Sequence, residues 1–453
     1  MPSPNTMTLK GRVLRAGGWT VAGHGLSQAI RFGSNLLMTR LLVPEMFGVM
    51  AIAYMIMYGL ALFSDIGLRP SIVHSKRGND AIFLNTAWII QILRGALIWL
   101  FALVVTMLVV LANHLGIAPS DSVYANPSLP YVIAILSLCA LISGFDSSKV
   151  HEASRNLLLD RITKIEIVSQ VAGLLCMFSW VAVDRSIWAL VAGSLGAALA
   201  KTILTHAWLP GNTNRWQWDN TAFNEIIHFG KWIFLSSILG FLVNSGDRLI
   251  LGGVLSASEL GIYAIAFLIF KTILDVLSKV IGDVTYPSLS EVAREQPANL
   301  KSHYYRFHVI IAAFAYLCSG ILMISGQPLI DLLYDPRYAE AGWMLEILAA
   351  GLMTIPFRLA HQCFMALGMP GLLSKIITAQ LITMYLVMPI SFHFFGLPGA
   401  LWGFVLSYFF TLPTTIFYQV KYGLFDLRKE LLFLTIVPLG MIIGKTFNLA
   451  IGY

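Results

Sequence analysis

Six basic side chains stand inside stretches that are otherwise apolar: Arg31, Arg94, Arg248, Lys271, Arg358 and Lys445. An unpaired charge at the centre of a bilayer costs from about 3 to more than 10 kcal/mol, so such groups face one another, an acid or a hydrated space. A guanidinium presents its donors in a planar fork that meets two phosphate oxygens at once. Buried arginines are therefore chemistry for holding a phosphate or pyrophosphate head group. Two of them come with amides: Asn35 lies one helical turn after Arg31, and Asn244 one turn before Arg248, so each pair shares a helix face. Arg31, Asn35, Arg94, Asn244, Arg248, Lys271 and Arg358 are the candidate lining of a substrate cavity.

The deep acids are fewer. Asp247 adjoins Arg248, and Asp275 lies one turn after Lys271 in a ladder of alternating sign formed by Lys271, Asp275, Lys279 and Asp283. Coupling to protons or sodium needs a carboxylate reachable from each side of the membrane in turn, which makes Asp247 and Asp275 the candidates. Plainer uses compete at several positions. Arg248 is either a cavity group or a pin neutralised by an acid, Lys279 and Asp283 read as solvated at an interface, and His361 as packed or interfacial. Lys445 reads as snorkelling to the surface. Asp65 in "SDIGLRPS" and Asp146 in "GFDSSK" read as helix-end or hinge residues.

The elements that carry these groups follow from composition. Of 453 residues 57% are hydrophobic and 12% charged, against about a quarter charged for a soluble domain. Mean hydropathy is +0.75. Apolar stretches long enough for a core about 30 Å thick recur along the chain, and backbone groups in lipid must bond internally, so these are helices. Spans are expected near residues 16–40, 46–64, 82–112, 130–146, 163–183, 187–208, 226–255, 259–286, 308–334, 342–367, 373–395 and 398–420, with a thirteenth candidate at 431–450. The first apolar stretch has no small-residue cleavage pattern and reads as a retained helix.

With the N-terminus on the cytoplasmic side, 21 of the 30 Lys and Arg fall in or beside inner loops, three outside (Arg40, Arg185, Arg337) and six within spans. That asymmetry sets the orientation. The net charge of +7 therefore reports the inner leaflet rather than a nucleic-acid partner. Counted from Arg15 and Lys231, Arg31 and Arg248 lie about 24 to 26 Å along their helices.

An internal repeat organises the spans. At an offset of 213, residues 17–57 lie on 230–270 with 11 of 41 positions identical, among them Trp19/Trp232, Gly33/Gly246 and Gly48/Gly261. At an offset of 210, His151 meets His361 and Gln170 meets Gln380. Six spans separate equivalent helices, so the halves insert the same way up, a parallel repeat. The expectation is an all-α polytopic membrane protein of two six-helix bundles around a central cavity. Residues 1–210 form one lobe, 211–224 a polar cytoplasmic linker, 225–425 the second lobe and 426–453 an additional segment.

Several chemistries lack their residues. The nearest approach to a nucleotide-binding loop, "LGAALAKT" at 195–202, has neither glycine of the phosphate cradle, and HExxH and GxSxG do not occur. The four cysteines, Cys139, Cys176, Cys318 and Cys363, are isolated in apolar segments and read as packing residues, with no metal or cofactor expected. The longest outer loop, "ANHLGIAPSDSVYANPSLP", offers little room for a catalytic site.

At "NSGDRLILGGVLSASELGIYAIAFLI" the chain resembles the polysaccharide transporter branch of the MOP exporter superfamily, in an Asp-Arg pair, a Gly and a Gly-x-Tyr that stand here as Asp247, Arg248, Gly252, Gly261 and Tyr263. "LLVPEMFGVMAIAYMI" and "SDIGLRPSIV" are similar to the N-terminal half of the same family. The resemblance implies a non-enzymatic flippase of the bacterial cytoplasmic membrane that moves polyprenyl-pyrophosphate-linked oligosaccharide outward by alternating access around a cationic cavity. Membrane lipids, a coupling proton or sodium ion, and polysaccharide polymerase and chain-length proteins are the partners it brings into view. A multidrug cation antiporter of the same superfamily and a membrane polymerase or ligase are the alternatives. The antiporter would call for acids where this chain has bases.

Overall fold

The computed structural model describes residues 9–453 apart from 66 and 157, and not the side chains of 9–18, 20–21, 69, 73–74, 229–236, 283 and 370. Asp283 of the charge ladder, the reference residues Arg15 and Lys231, and Trp232 of the repeat thus lie outside the described side chains. Among the described residues every regular element is helical.

The chain divides into two compact units, Met1–Leu242 with Gly252–Ser258, and Val243–Leu251 with Glu259–Tyr453. The first unit holds α1 (Leu9–Leu41), α2 (Pro44–Phe63), α3 (Leu68–His74), α4 (Ala81–His114), α5 (Ser128–Leu136), α6 (Leu138–Gly144), α7 (Lys149–Arg155), α8 (Leu159–Val183), α9 (Trp188–Trp208) and the first part of α10 (Asn220–Gly252). Pro44 opens α2 at a position where no N–H is needed, and the Asp80 carboxylate caps α4 by accepting from Ile82 N–H at 3.1 Å. Met38, Leu42, Met177, Val181 and Ala189 bury one seam among α1, α8 and α9.

The second unit continues with α11 (Ala257–Val280), α12 (Tyr286–Glu295), α13 (Leu300–Leu333), α14 (Ala341–Ala350), α15 (Arg358–Ala366), α16 (Pro370–Phe409), α17 (Leu412–Lys421), α18 (Leu427–Leu434) and α19 (Ile436–Ala450). A five-residue π turn, Ile281–Thr285, joins α11 to α12, and a 3₁₀ turn, Gly351–Phe357, joins α14 to α15. Such departures from α geometry collect at functional places.

Nine helices among the described residues are long and apolar enough to cross a bilayer, ten when the bent pair Ser128–Gly144 and Lys149–Arg155 counts as one. α1 and α10, at 33 residues each, are long enough as well. The continuous stretch Gly371–Lys421 has 51 residues, about 75 Å of helix against a hydrocarbon core of about 30 Å. It breaks at Gly396, whose φ of 62° and ψ of −151° no helix contains. That glycine makes it two crossings, so each span expected from the sequence has its helix.

Residues 211–224 lie against the first unit as a strap. The Arg77 guanidinium donates to Asp219 at 2.8 Å and to Thr221 at 2.9 Å, Asn85 donates to Gln217 at 2.9 Å, and Asn214 donates to Ser148 at 2.7 Å. Its hydrogen bond from Arg77 pulls the Asp219 carboxyl down from 3.8 to about 2. The clasp is therefore charged at every pH above the ordinary carboxylate range and is lost only as the pH falls through about 2.

The additional C-terminal segment is packed, not trailing. A Cβ on Gly320 of α13 would lie 2.2 Å from the Val437 carbonyl oxygen, so α13 and α19 meet backbone to backbone. Nearby, Tyr305 donates to Glu430 at 3.0 Å, and buried His308 brings Nε2 within 3.2 Å of the other Glu430 oxygen. Removing Glu430 takes away the acceptor of the Tyr305 hydroxyl and leaves buried polar groups behind, a loss of about 1 to 3 kcal/mol. Glu430→Ala is therefore expected to lower the thermal midpoint of the detergent-solubilised protein by several degrees, and Glu430→Gln much less. Equal midpoints for both variants and the native chain would show the pair to be structurally idle.

Candidate functional site

α10 presents Asn244, Ser245, Gly246, Asp247 and Arg248 in sequence. Gly246 is the point of close approach: a Cβ there would lie 2.2 Å from the Met384 methyl and 3.0 Å from the Tyr385 ring, so α10 and α16 press together. Asp247 is 1% exposed and accepts from the Tyr263 hydroxyl at 2.6 Å. Arg248 lays its guanidinium 4.7 Å from the Phe267 ring centroid, with Nε 4.0 Å from Asp247. The Arg248 guanidinium is thus held by a cation–π contact and a long approach to Asp247.

One turn away, Asn244 opens onto a cavity of about 350 Å³ set wholly within the second unit. That volume is at the small end for an organic ligand. α11 contributes Lys271 and Asp275, the 3₁₀ turn Thr354 and Phe357, α15 Arg358 and His361, and α16 Gln380 and Tyr408, with Thr411 beside them. The break at Gly396 matters here, because Gln380 and Tyr408 belong to the two opposed arms of one long helix and both reach the same space.

The charges in the cavity differ in how they are held. Lys271 Nζ lies 2.5 Å from Asp275 Oδ1, so these two cancel. Arg358 begins α15 directly after the 3₁₀ turn and stands over the Tyr408 ring at 5.4 Å. Among the described residues no carboxylate lies within ion-pair distance of it. The cavity therefore holds a guanidinium that no described carboxylate pairs with, a group able to grip two oxygens at once.

The expected site residues thus part company. Asn244, Lys271, Arg358 and the coupling candidate Asp275 surround one cavity, whereas Arg248 and Asp247 sit beside it on α10 and face Phe267 and Tyr263. Arg31, exposed, and Asn35, half-buried, lie on α1 in the first unit. Arg94, also there, donates from Nη2 to the Ala61 carbonyl at 2.7 Å and from Nε to Ser64 Oγ at 3.2 Å, which satisfies the C-terminal end of α2. Gln380, Tyr408, Thr354 and Thr411 were not singled out as site residues; the Gln170/Gln380 match was the one signal for any of them. Cys176 also departs from expectation, being exposed where Cys363 is buried.

With its described residues helical, nine to ten of the helices long and apolar enough to cross a bilayer, and a polar cavity inside one unit, the chain is a multi-pass membrane protein. Its fold is that of the MOP superfamily. An inward-facing multidrug resistance MATE family transporter of that superfamily superposes with a TM-score of 0.65 over 87% of this chain and 94% of that one, at 13% identity. The lipid II flippase MurJ in an inward closed conformation gives a TM-score of 0.65 over 95% and 98%, at 10% identity.

The chain belongs to the polysaccharide biosynthesis protein family, whose profile matches residues 37–342. It is 20% identical over 350 residues, 77% of this chain and 67% of the relative, to the succinoglycan biosynthesis transport protein ExoT of Rhizobium meliloti (strain 1021).

Proposed function

We propose that this protein is a flippase carrying polyprenyl-pyrophosphate-linked oligosaccharide from the inner to the outer leaflet of a bacterial cytoplasmic membrane, for exopolysaccharide, capsule or O-antigen synthesis. It works by alternating access, with its N-terminus in the cytoplasm and no covalent step. The observation that carries this reading is Arg358, a guanidinium inside a membrane helix that faces a cavity without a carboxylate partner among the described residues. Such a group is stable there only in a hydrated space and binds an anion readily. The family, the transport role in ExoT's name and the flippase role in MurJ's name support the same cargo class. Polymerase and chain-length proteins are the downstream partners that such an export step serves.

The cation antiporter is disfavoured by the state of the acids. Asp275 is bound to Lys271, and Asp247 is buried under Tyr263, so neither offers a free carboxylate to a cationic cargo. Coupling enters through the same pair: a proton on Asp275 releases Lys271 to the head group. The test is a strain lacking the gene. Lipid-linked oligosaccharide accumulating on the inner leaflet, with polymer lost, is the expected outcome. Lipid-linked sugar reaching the outer leaflet normally while polymer is missing would identify a polymerase or ligase instead.

A further inference from the structure

Where α8 begins and α9 ends, three side chains of the first unit surround a second cavity, of about 260 Å³: Arg161, Lys164 and Trp208. Close packing brings them together. A Cβ on Gly173 would lie 2.6 Å from the Gly193 carbonyl oxygen, so α8 and α9 meet backbone to backbone, and Ile162 and Leu204 pack on the core of Ala153, Ile165 and Leu209. α1 approaches as closely, because a Cβ on Gly23 would overlap the Thr163 methyl. Trp19, one turn before Gly23, then takes the Lys164 ammonium at 5.4 Å from its ring centroid. Among the described residues no carboxylate lies within ion-pair distance of Arg161 or Lys164, although Asp160 and Glu166 are near in sequence.

Two cations and an indole N–H donor around one small space suit a single phosphate. The volume is below that of sites for drug-sized ligands and too small for an oligosaccharide. The same face of α8 continues as hydrocarbon. At 100° per residue Arg161, Lys164, Val168, Val171 and Leu175 fall within about 80° of one another, and Val168, Val171 and Leu175 are 39%, 42% and 64% exposed. From Arg161 to Leu175 is about 21 Å of helix, enough to line the hydrocarbon of one leaflet, half of about 30 Å. A ligand matching both parts has an anionic phosphate head and a long apolar chain. We propose that Arg161, Lys164 and Trp208 seat the phosphodiester of one anionic membrane phospholipid, of the phosphatidylglycerol type, whose acyl chain lies along that stripe. With the N-terminus in the cytoplasm the lipid is one of the inner leaflet, where basic pockets between helices meet anionic head groups. The seat does not depend on the flippase reading, which concerns the cavity of the second unit.

The test is native mass spectrometry of the full-length, detergent-solubilised protein, which counts retained lipids. One dioleoyl phosphatidylglycerol should be held in preference to zwitterionic dioleoyl phosphatidylcholine, and glycerol phosphate, the head without its chains, should not displace it. Changing Arg161→Gln and Lys164→Gln together should weaken retention roughly thirtyfold, the loss of two basic contacts at a membrane surface. Trp208→Ala should weaken it about fivefold, the loss of one hydrogen bond. These positions are exposed, so the thermal midpoint in lipid-free detergent should stay native. Changing Lys421→Gln and Lys445→Gln together removes the same charge from exposed positions of the second unit and should leave retention native. Native retention by the Arg161, Lys164 double variant, equal retention of phosphatidylcholine, or equal weakening by the Lys421, Lys445 double variant would overturn the seat. Displacement by glycerol phosphate would make it a site for a free anion, and displacement by bare polyprenyl pyrophosphate would give it to the cargo. Either result removes the phospholipid.

Discussion

An Arg358→Ala chain is expected to insert and fold normally yet to lose export of lipid-linked oligosaccharide by about a hundredfold. Arg358 is a positive charge lining the cavity with no described carboxylate within ion-pair distance, and its contact with Tyr408 is one cation–π contact at the cavity wall rather than a helix cap, so truncation chiefly removes a ligand group. Two charge-assisted hydrogen bonds to a phosphate contribute on the order of 3 kcal/mol together, which is about a hundredfold in affinity. Arg358→Lys should restore part of it, since a lysine keeps the charge and loses the fork. The measurement is polymer output and inner-leaflet precursor in a deletion strain complemented with each variant, at matched membrane levels. Lys445→Ala, at an exposed position on α19, should export normally. Full export by Arg358→Ala would remove the phosphate-binding role of the cavity.

Much of the scaffold was legible because hydropathy and repeat offsets are one-dimensional signals. Spans, the π-to-α region around Asp283 apart, fall on helices because lipid forces any long apolar run to satisfy its own backbone. The co-location of Asn244, Lys271 and Arg358 was half legible: the sequence marked each as a polar intrusion, and only packing shows that α10, α11 and α15 turn those faces to one space. Arg94 shows what a sequence cannot distinguish. An arginine at mid-helix looks the same whether it faces a cavity or, as here, closes the exposed carbonyls of α2 at Ala61. The His308–Glu430 contact was invisible for the complementary reason, since each residue lies near a polar stretch and reads as a surface group until α18 folds back onto α13.

Asp275→Asn should separate holding the cargo from releasing it. In the native cavity Asp275 neutralises Lys271 at 2.5 Å, and a head group can recruit that ammonium only in competition with the carboxylate. The variant removes that competitor and leaves Lys271 without its carboxylate partner. A second positive charge several ångströms from the phosphate adds on the order of 1 to 2 kcal/mol at an effective dielectric near 20, so binding of the bare polyprenyl pyrophosphate should tighten about tenfold. Export should nevertheless fall, because a carrier that grips too well releases slowly. Unchanged or weaker binding of the bare polyprenyl pyrophosphate by Asp275→Asn would show that Lys271 is never handed from Asp275 to the cargo.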